Sequence, residues 1–329
     1  MSKMKSSQEN CQRFSYSISA RTDKVFLCRL FISRTVFYFL EENMLKKLLL
    51  WIFVLNITAF GKVPQRAVST SQFTTEILLA IGAEEQLAGT AFMDNEILPE
   101  LKEKYDKIPV LSAKYPSKEL FYSVNPDFVT GWKSLSMPSN LGTIEELNSN
   151  GVEVFFMKSL ESNNIDDVFN DILEFGRIFD KEKNAENIVF KMKEELKKIK
   201  EKLPKEKIKI FPYDGGETLP FVVGGNGIGN TIIELAGGEN IFKDIKASFG
   251  NGTWEKVLME EPDMILIIDY GDNSVDKKIE YLKEKSPIKE LDAVKNNKFT
   301  VIGLGDISAG IRNVDAVKKL AKMFHNTEI

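Results

Sequence analysis

RAVSTSQFTTEILLAIGA, residues 66–83, is the stretch that decides the fold. Arg66 to Thr70 is a short run with a β-branched centre, and it predicts a strand. Ser71, Gln72 and Phe73 form the connecting loop. Thr75 to Ile81 then reads as a helix, closed by Gly82, because glycine takes a left-handed C-cap at no steric cost. Strand, short loop, helix and glycine stop make half of a βαβ unit.

Outward from that stretch the alternation repeats. Gln86 to Ala91, Pro126 to Gly131 and Val152 to Met157 read as strands, with a helix at Thr143 to Asn148. A helical segment follows. Ile165, Val168, Phe169, Ile172, Leu173 and Phe179 keep helical spacing, and so do Ala185, Ile188, Val189, Met192, Leu196, Ile199 and Leu203, before Pro204 ends the run. Its charged positions form an ordinary solvated face. Strands then return at Ile208 to Phe211, Leu219 to Val223, Met264 to Ile268 and Phe299 to Ile302. Helices are predicted at Asn230 to Ala236, Trp254 to Met259, Val275 to Lys285 and Asn313 to Phe324. The expected fold class is α/β: two lobes, each with a mostly parallel sheet, joined by a single long rigid helix. The expected boundaries are 62–160 for the first lobe, 161–204 for the helical segment and 205–329 for the second lobe. A ligand would sit in the cleft between lobes, on loops leaving the carboxyl ends of the strands.

A chain of 329 residues buries a full core, and 43% hydrophobic with 28% charged residues is an ordinary soluble composition. The net charge of −4 gives no basic face for nucleic acid. The single histidine, His325, lies near the C-terminus, and both cysteines, Cys11 and Cys28, lie upstream of residue 44.

Residues 44–61, MLKKLLLWIFVLNITAFG, read as a secretory signal. Lys46 and Lys47 form the basic region, and Leu48 to Leu55 is an apolar run too short for the about 20 residues a span requires. Ala59 and Gly61 supply the small residues of a cleavage site. Residues 1–43, Ser-rich and without periodicity, are expected to be a non-native extension ahead of a true start at Met44. Lys62 stands where a lipoprotein would carry an acylated cysteine. The expected product is therefore a periplasmic protein, secreted and not lipid-anchored.

Residues 66–83 resemble the opening of the class III periplasmic binding proteins of ABC importers. Four further segments are similar to that family's pattern in its order: Asn125-Pro126-Asp127-Phe128-Val129, residues 236–242, residues 254–266, and residues 310–317. The resemblance covers about residues 64–324. It implies a bilobal receptor, expected to be a monomer, which captures an iron chelate such as a siderophore, haem or a corrinoid. It has no cofactor of its own, and it delivers its cargo to an ABC permease dimer in the inner membrane. It further implies a docking carboxylate on each lobe. Glu255 matches the second-lobe position. The first-lobe position falls near Leu141-Gly142, which holds no glutamate, and Glu145 or Glu146 stands one turn later.

The candidate ligand-binding residues come from both lobes. The first offers Ser71, Gln72, Phe73, Tyr115, Trp132 and Lys133; the second offers Tyr213, Asp214, Gly225, Asn226, Phe249, Trp254, Tyr270 and Arg312. Aromatic faces with polar tips suit a large planar or macrocyclic ligand. Lys133 and Arg312 could meet ligand carboxylates or phosphates. Trp132, a bulky aromatic just past a strand end, is the strongest of these. Phe73 and Phe249 could instead be core, and Tyr115 could merely shape the turn at Pro116.

The glycine run 224–229 follows a strand and opens a helix, but it lacks the G-x-G-x-x-G order and the Lys-Ser/Thr of a P-loop. It predicts close backbone approach to a ligand. Two other functions compete. A receptor for bare zinc or manganese needs converging imidazoles or carboxylates, which one histidine does not supply. An enzyme would need a recognisable nucleophile and base: there is no G-x-S-x-G and no histidine near a nucleophile, and Asp269, Asp272 and Asp306, which could form a carboxylate set, read more readily as solvated loop acids.

Overall fold

Strand β1 (Ala67–Thr70) is buried along its whole length, as a central strand covered on both faces must be. Ser71 follows, N-capping helix α1 (Gln72–Ile81) by accepting from the Thr74 amide, and Gly82 ends the helix at φ 85°. These elements belong to a computed structural model that describes residues 62–271 and 274–326. The extension 1–43 and the signal segment 44–61 lie outside the described residues. No described helix is long and apolar enough to cross a membrane.

The first lobe continues with β2 (Leu87–Ala91), α2 (Lys102–Tyr105), β3 (Val110–Ser112), α3 (Lys118–Ser123) and β4 (Phe128–Gly131). It ends with α4 (Ile144–Ser149) and β5 (Glu153–Phe155). All its strand pairs are parallel, in the order β3-β2-β1-β4-β5. The order reverses direction between β1 and β4, so a crevice opens beyond their carboxyl ends. Ser71 and Trp132 stand at that point.

Two helices, α5 (Ile165–Ile178) and α6 (Glu182–Lys202), make up the segment read as one helical run. The break lies at Asp180, whose φ is 57°. α5 packs back against α1 and α6. The 21 residues of α6 rise about 30 Å and carry the chain from the first sheet to the second.

The second lobe holds β6 (Ile208–Gly215), β7 (Phe221–Val223), α7 (Ile228–Leu235), β8 (Gly238–Asn240) and β9 (Phe249–Asn251). Then come α8 (Trp254–Glu260), β10 (Met264–Asp269), α9 (Val275–Glu284) and α10 (Asp292–Lys295). The last elements are β11 (Phe299–Gly303), α11 (Leu304–Ile307) and α12 (Asn313–His325). The sheet order is β11-β10-β6-β7-β9, with β8 also paired to β6. β6, β8, β10 and β11 run parallel, whereas β7 pairs antiparallel with β6 and β9.

The main apolar core crosses both lobes. It joins Phe73, Ile77 and Phe128 of the first lobe, Phe169 of α5, Val189, Met192 and Ile199 of α6, and Ile210, Leu266, Leu320 and Phe324 of the second. Residues 63–329 accordingly form one compact unit.

Candidate functional site

The first-lobe wall of the cleft begins where β4 ends. Trp132 leaves the strand with extended backbone, opens a short turn at Lys133–Ser136, and stays partly exposed. Its ring meets Phe73 edge-on, with centroids 4.7 Å apart at 78°. Tyr115, from the loop after β3, is fixed by a 2.8 Å bond between its hydroxyl and Ser134 Oγ. Phe92, just past β2, packs 4.9 Å from the Tyr115 ring. Loops leaving β2, β3 and β4 thus present Phe92, Tyr115 and Trp132.

The second-lobe wall is built on β6, β7, β9 and β10. Phe221 and Phe249, from paired strands, stack at 6.1 Å and 14°. Tyr270 follows β10, and its hydroxyl lies 3.3 Å from Asp214 Oδ2, to which it donates. Behind it Lys278, on α9, is almost wholly buried: it donates to Ile268 O at 2.6 Å, lies 3.7 Å from Asp214, and sits over the Tyr270 ring at 5.1 Å. Burial pushes the Asp214 carboxyl up and the Lys278 ammonium down, each toward its neutral form. Asp214, Gly215, Gly216, Phe221, Tyr270, Gly271 and Lys278 line a cavity of about 300 Å³.

The two walls meet at Asp94 and Asn95, just past β2. Asn95 is a clasp between lobes: its amide donates to Asp269 O at 3.0 Å and its carbonyl accepts from the Gly305 amide at 2.9 Å. Its own backbone N–H donates to Gln72 Oε1 at 2.8 Å. Asp94, held beside it, is half-buried, and desolvation raises its pKa to about 6. Its charge is felt by Tyr115 on one side and Tyr270 on the other. Burial is the main force raising Tyr270, with Asp214 and then Asp94 adding to it, and its phenol is pushed up to about 12.

Several residues expected at the ligand lie elsewhere. Phe73 is 3% exposed and belongs to the core, where it backs Trp132. Trp254 is 5% exposed, packs among Phe211, Tyr213 and Tyr281, and donates to Glu217 O. Tyr213 is buried beside it, its hydroxyl spent on Gly216 O. The helix register of α8 turns Trp254 inward, and the pleat of β6 does the same for Tyr213. Ser71 is consumed as a buried cap, and Gln72 as a buried partner of Glu76, Asn95 and Glu96.

Both expected cations are taken. Lys133 lies 2.5 Å from Glu161, and Arg312 is held by Glu76 and Asp306. Gly225 makes its close approach to its own chain, donating to Ile245 O at 2.8 Å against the Lys243 carbonyl. Asn226 is exposed, and its N–H donates to Ala247 O. Tyr115, Trp132, Asp214, Phe249 and Tyr270 remain on the walls. Phe92, Asp94, Asn95, Phe221 and Lys278 join them, none marked by a motif; an aromatic or polar residue just past a strand end was the available signal.

Glu255 is exposed in the first turn of α8, two residues after the N-cap Thr253. The first lobe repeats this arrangement. Glu145 is exposed in the first turn of α4, two residues after the N-cap Thr143, while Glu146 is tied into the capping box and lies 3.6 Å from Lys118. Thr-x-Glu therefore opens a helix on each lobe. Among the described residues no group of three or more His, Cys, Asp or Glu side chains is placed to hold a metal ion.

Two α/β lobes follow one another in the chain, with α5 and α6 between their sheets. The chain belongs to the periplasmic binding protein family, whose model matches residues 68–303, and within it to the class III substrate-binding proteins of ABC importers. A periplasmic binding protein from Veillonella parvula is 34% identical, with a TM-score of 0.77 over 82% of this chain and 94% of that one. YvrC of Bacillus subtilis, an uncharacterised ABC transporter substrate-binding lipoprotein, is 24% identical over 80% of this chain and 81% of its own. The vitamin B12-binding protein of Vibrio parahaemolyticus is 24% identical over 68% of this chain and 78% of its own.

The expectation of a secreted receptor without a lipid anchor is corrected by these comparisons. The Bacillus subtilis relative is a lipoprotein, so the reading drawn from Lys62 does not stand. It leaned on one residue beside a segment that lies outside the described structure.

Proposed function

We propose that this receptor captures an iron chelate, haem or a corrinoid between the Phe92–Tyr115–Trp132 wall and the Phe221–Phe249–Tyr270 wall, and hands it to its permease. What supports this reading is that each lobe carries a set of aromatic side chains just past or beside its strand ends, Phe92, Tyr115 and Trp132 on one and Phe221, Phe249 and Tyr270 on the other, which would offer stacking area to a flat or macrocyclic ligand with a few polar tips to orient it. The vitamin B12-binding relative supports a cargo of this size and shape.

Titration of residues 62–329 with haem, cyanocobalamin, cobinamide and ferric siderophores tests the reading through tryptophan fluorescence. Trp254 is buried in the second-lobe core, so a Trp254→Phe variant isolates the signal of Trp132. Saturable quenching by one of these ligands is the expected result, and no binding to any of them would overturn the proposal. Trp132→Ala is expected to weaken that binding by about 1–2 kcal/mol through lost stacking. An unchanged affinity would leave Trp132 as scaffold.

Docking on the permease is assigned to the two Thr-x-Glu helix starts. Both carboxylates stand exposed at helix N-termini, free to meet basic groups. Glu145→Lys and Glu255→Lys are each expected to cut uptake by roughly tenfold through lost charge complementarity, with ligand affinity unchanged. Normal uptake by both variants in a transport assay would remove the assignment.

A further inference from the structure

The second-lobe cavity of about 300 Å³ holds a charged pair that stacking alone does not employ. Asp214 reaches it from β6 and Lys278 from α9, with side chains only 5% and 1% exposed. The two do not touch. Lys278 Nζ lies 3.7 Å from Asp214 Oδ1, beyond hydrogen-bond distance, and donates instead to Ile268 O at 2.6 Å. Asp214 Oδ2 accepts a long 3.3 Å bond from the Tyr270 hydroxyl. Both members of the pair line the cavity, so the gap between them opens onto it. The adjoining loop, whose Gly215 and Gly216 also line the cavity, is pinned in place. Tyr213 donates to Gly216 O at 3.1 Å, and Trp254 Nε1 and the Tyr281 hydroxyl both donate to Glu217 O, at 3.0 and 2.8 Å. The wall is therefore set before a ligand arrives.

A donor and an acceptor held 3.7 Å apart leave the span that one bridging group fills. A hydroxyl or a primary carboxamide fills it, because each accepts from Lys278 Nζ and donates to Asp214 Oδ1 at once. A carboxylate accepts but does not donate, and it would meet Asp214 as a like charge, with Asp269 of β10 adding to the repulsion. An ammonium donates but does not accept, and it would meet Lys278. We propose that this cavity is a polar subsite for the cargo, specific for a neutral group that both donates and accepts, a hydroxyl or carboxamide carried at the edge of the chelate. This rests on the receptor reading above and narrows its ligand class. Burial moves Asp214 and Lys278 toward their neutral forms, and in either protonation state the pair offers one donor beside one acceptor.

The test uses three probe pairs, one for each chelate class, whose members differ in a neutral or a carboxylate group. They are haem with both propionates amidated against haem, cyanocobalamin against its separated monocarboxylates, and N-acetyl against N-succinyl ferrioxamine B. In whichever pair binds, the neutral member is expected to bind wild type about tenfold tighter, the range of a bond to a charged group. Asp214→Asn should shrink that ratio several-fold, because it removes the like charge and leaves Lys278 to meet the carboxylate member. Removing one partner of a buried pair risks the fold, so a second variant accompanies it. Asp214→Asn/Lys278→Met leaves no unpaired charge, and it should bind the two members alike.

A merely structural pair gives a different pattern, in which both members of a probe pair weaken together and their ratio stays constant. A constant ratio in the variants, or tighter binding of the carboxylate member to wild type, would overturn the inference and leave the receptor reading standing. Binding of no probe to wild type would overturn the receptor reading and the inference with it.

Discussion

Arg312→Ala is expected to cost about 3–5 kcal/mol of folding stability, the range for removing one partner of a buried ion pair. Glu76 and Arg312 are 2% and 13% exposed at their side chains. The guanidinium grips the carboxylate with two atoms, Nε to Oε2 at 2.7 Å and Nη2 to Oε1 at 2.5 Å. Nη2 also donates to Glu96 O at 2.6 Å, and Nη1 to Asp306 at 3.2 Å. The pair joins a first-lobe helix to the loop before the last helix, so its loss removes a charge contact and a seam between lobes together. Truncation strands the Glu76 carboxylate with only Gln72 and the Leu98 amide to satisfy it. Urea unfolding of wild type, Arg312→Ala, Glu76→Gln and the double variant reads the coupling. The loss from Arg312→Ala should shrink in the Glu76→Gln background, because the stranded charge is then gone. A single-variant loss below about 1 kcal/mol, the value of an exposed pair, would contradict the buried geometry.

Gly225→Ala is expected to cost about 3 kcal/mol or more, at or above the upper range for overpacking. A β-carbon there would lie 1.8 Å from the Lys243 carbonyl oxygen and 2.6 Å from its carbon. Those are backbone atoms, so no side-chain rotation relieves the overlap. The flanking bonds, Gly224 N to Ser248 O at 2.9 Å and Gly225 N to Ile245 O, hold the two segments together. Gly151 is the control: its φ is 77° but nothing lies within 4 Å of an added β-carbon. Gly151→Ala should therefore cost only the about 1–2 kcal/mol of a left-handed non-glycine residue. Chemical denaturation of both variants decides it. Equal losses would mean that the two segments part at little cost and that the Lys243 carbonyl does not restrict position 225.

Both results bear on what could be read before the structure was seen. β1, β4, β6 and β10 carry buried apolar runs and announce themselves. β3, β8 and β9 have three residues each, too few to show a period. The glycine run at 224–229 was legible as a place of close approach, but a glycine does not say what approaches it. Phe73 and Trp254 show the same limit for aromatics. Each stands where a strand or loop gives way to a helix, and one step of helical rotation decides between cleft and core. Trp132, Tyr115 and Tyr270 sit just past strand ends without such a rotation, and they stay partly exposed. Arg312 was misjudged because its partner Glu76 is 236 positions away. Of the two acids that stand one turn after Leu141-Gly142, Glu146 is tied into the capping box and Glu145 is not, a difference that only the fold shows although Thr143-Ile144-Glu145 repeats the pattern of Thr253-Trp254-Glu255.

The bond between Glu76 and Arg312 also sets an order of events in the making of the protein. A ribosome releases α1 early, with Glu76 on it, and Arg312 only after nearly all the rest of the chain. Until then the first lobe contains a carboxylate that it cannot bury without its counter-charge, and a hydrophobic surface that awaits α12. The contact that joins the first lobe to the start of α12 is therefore among the last that a growing chain can make.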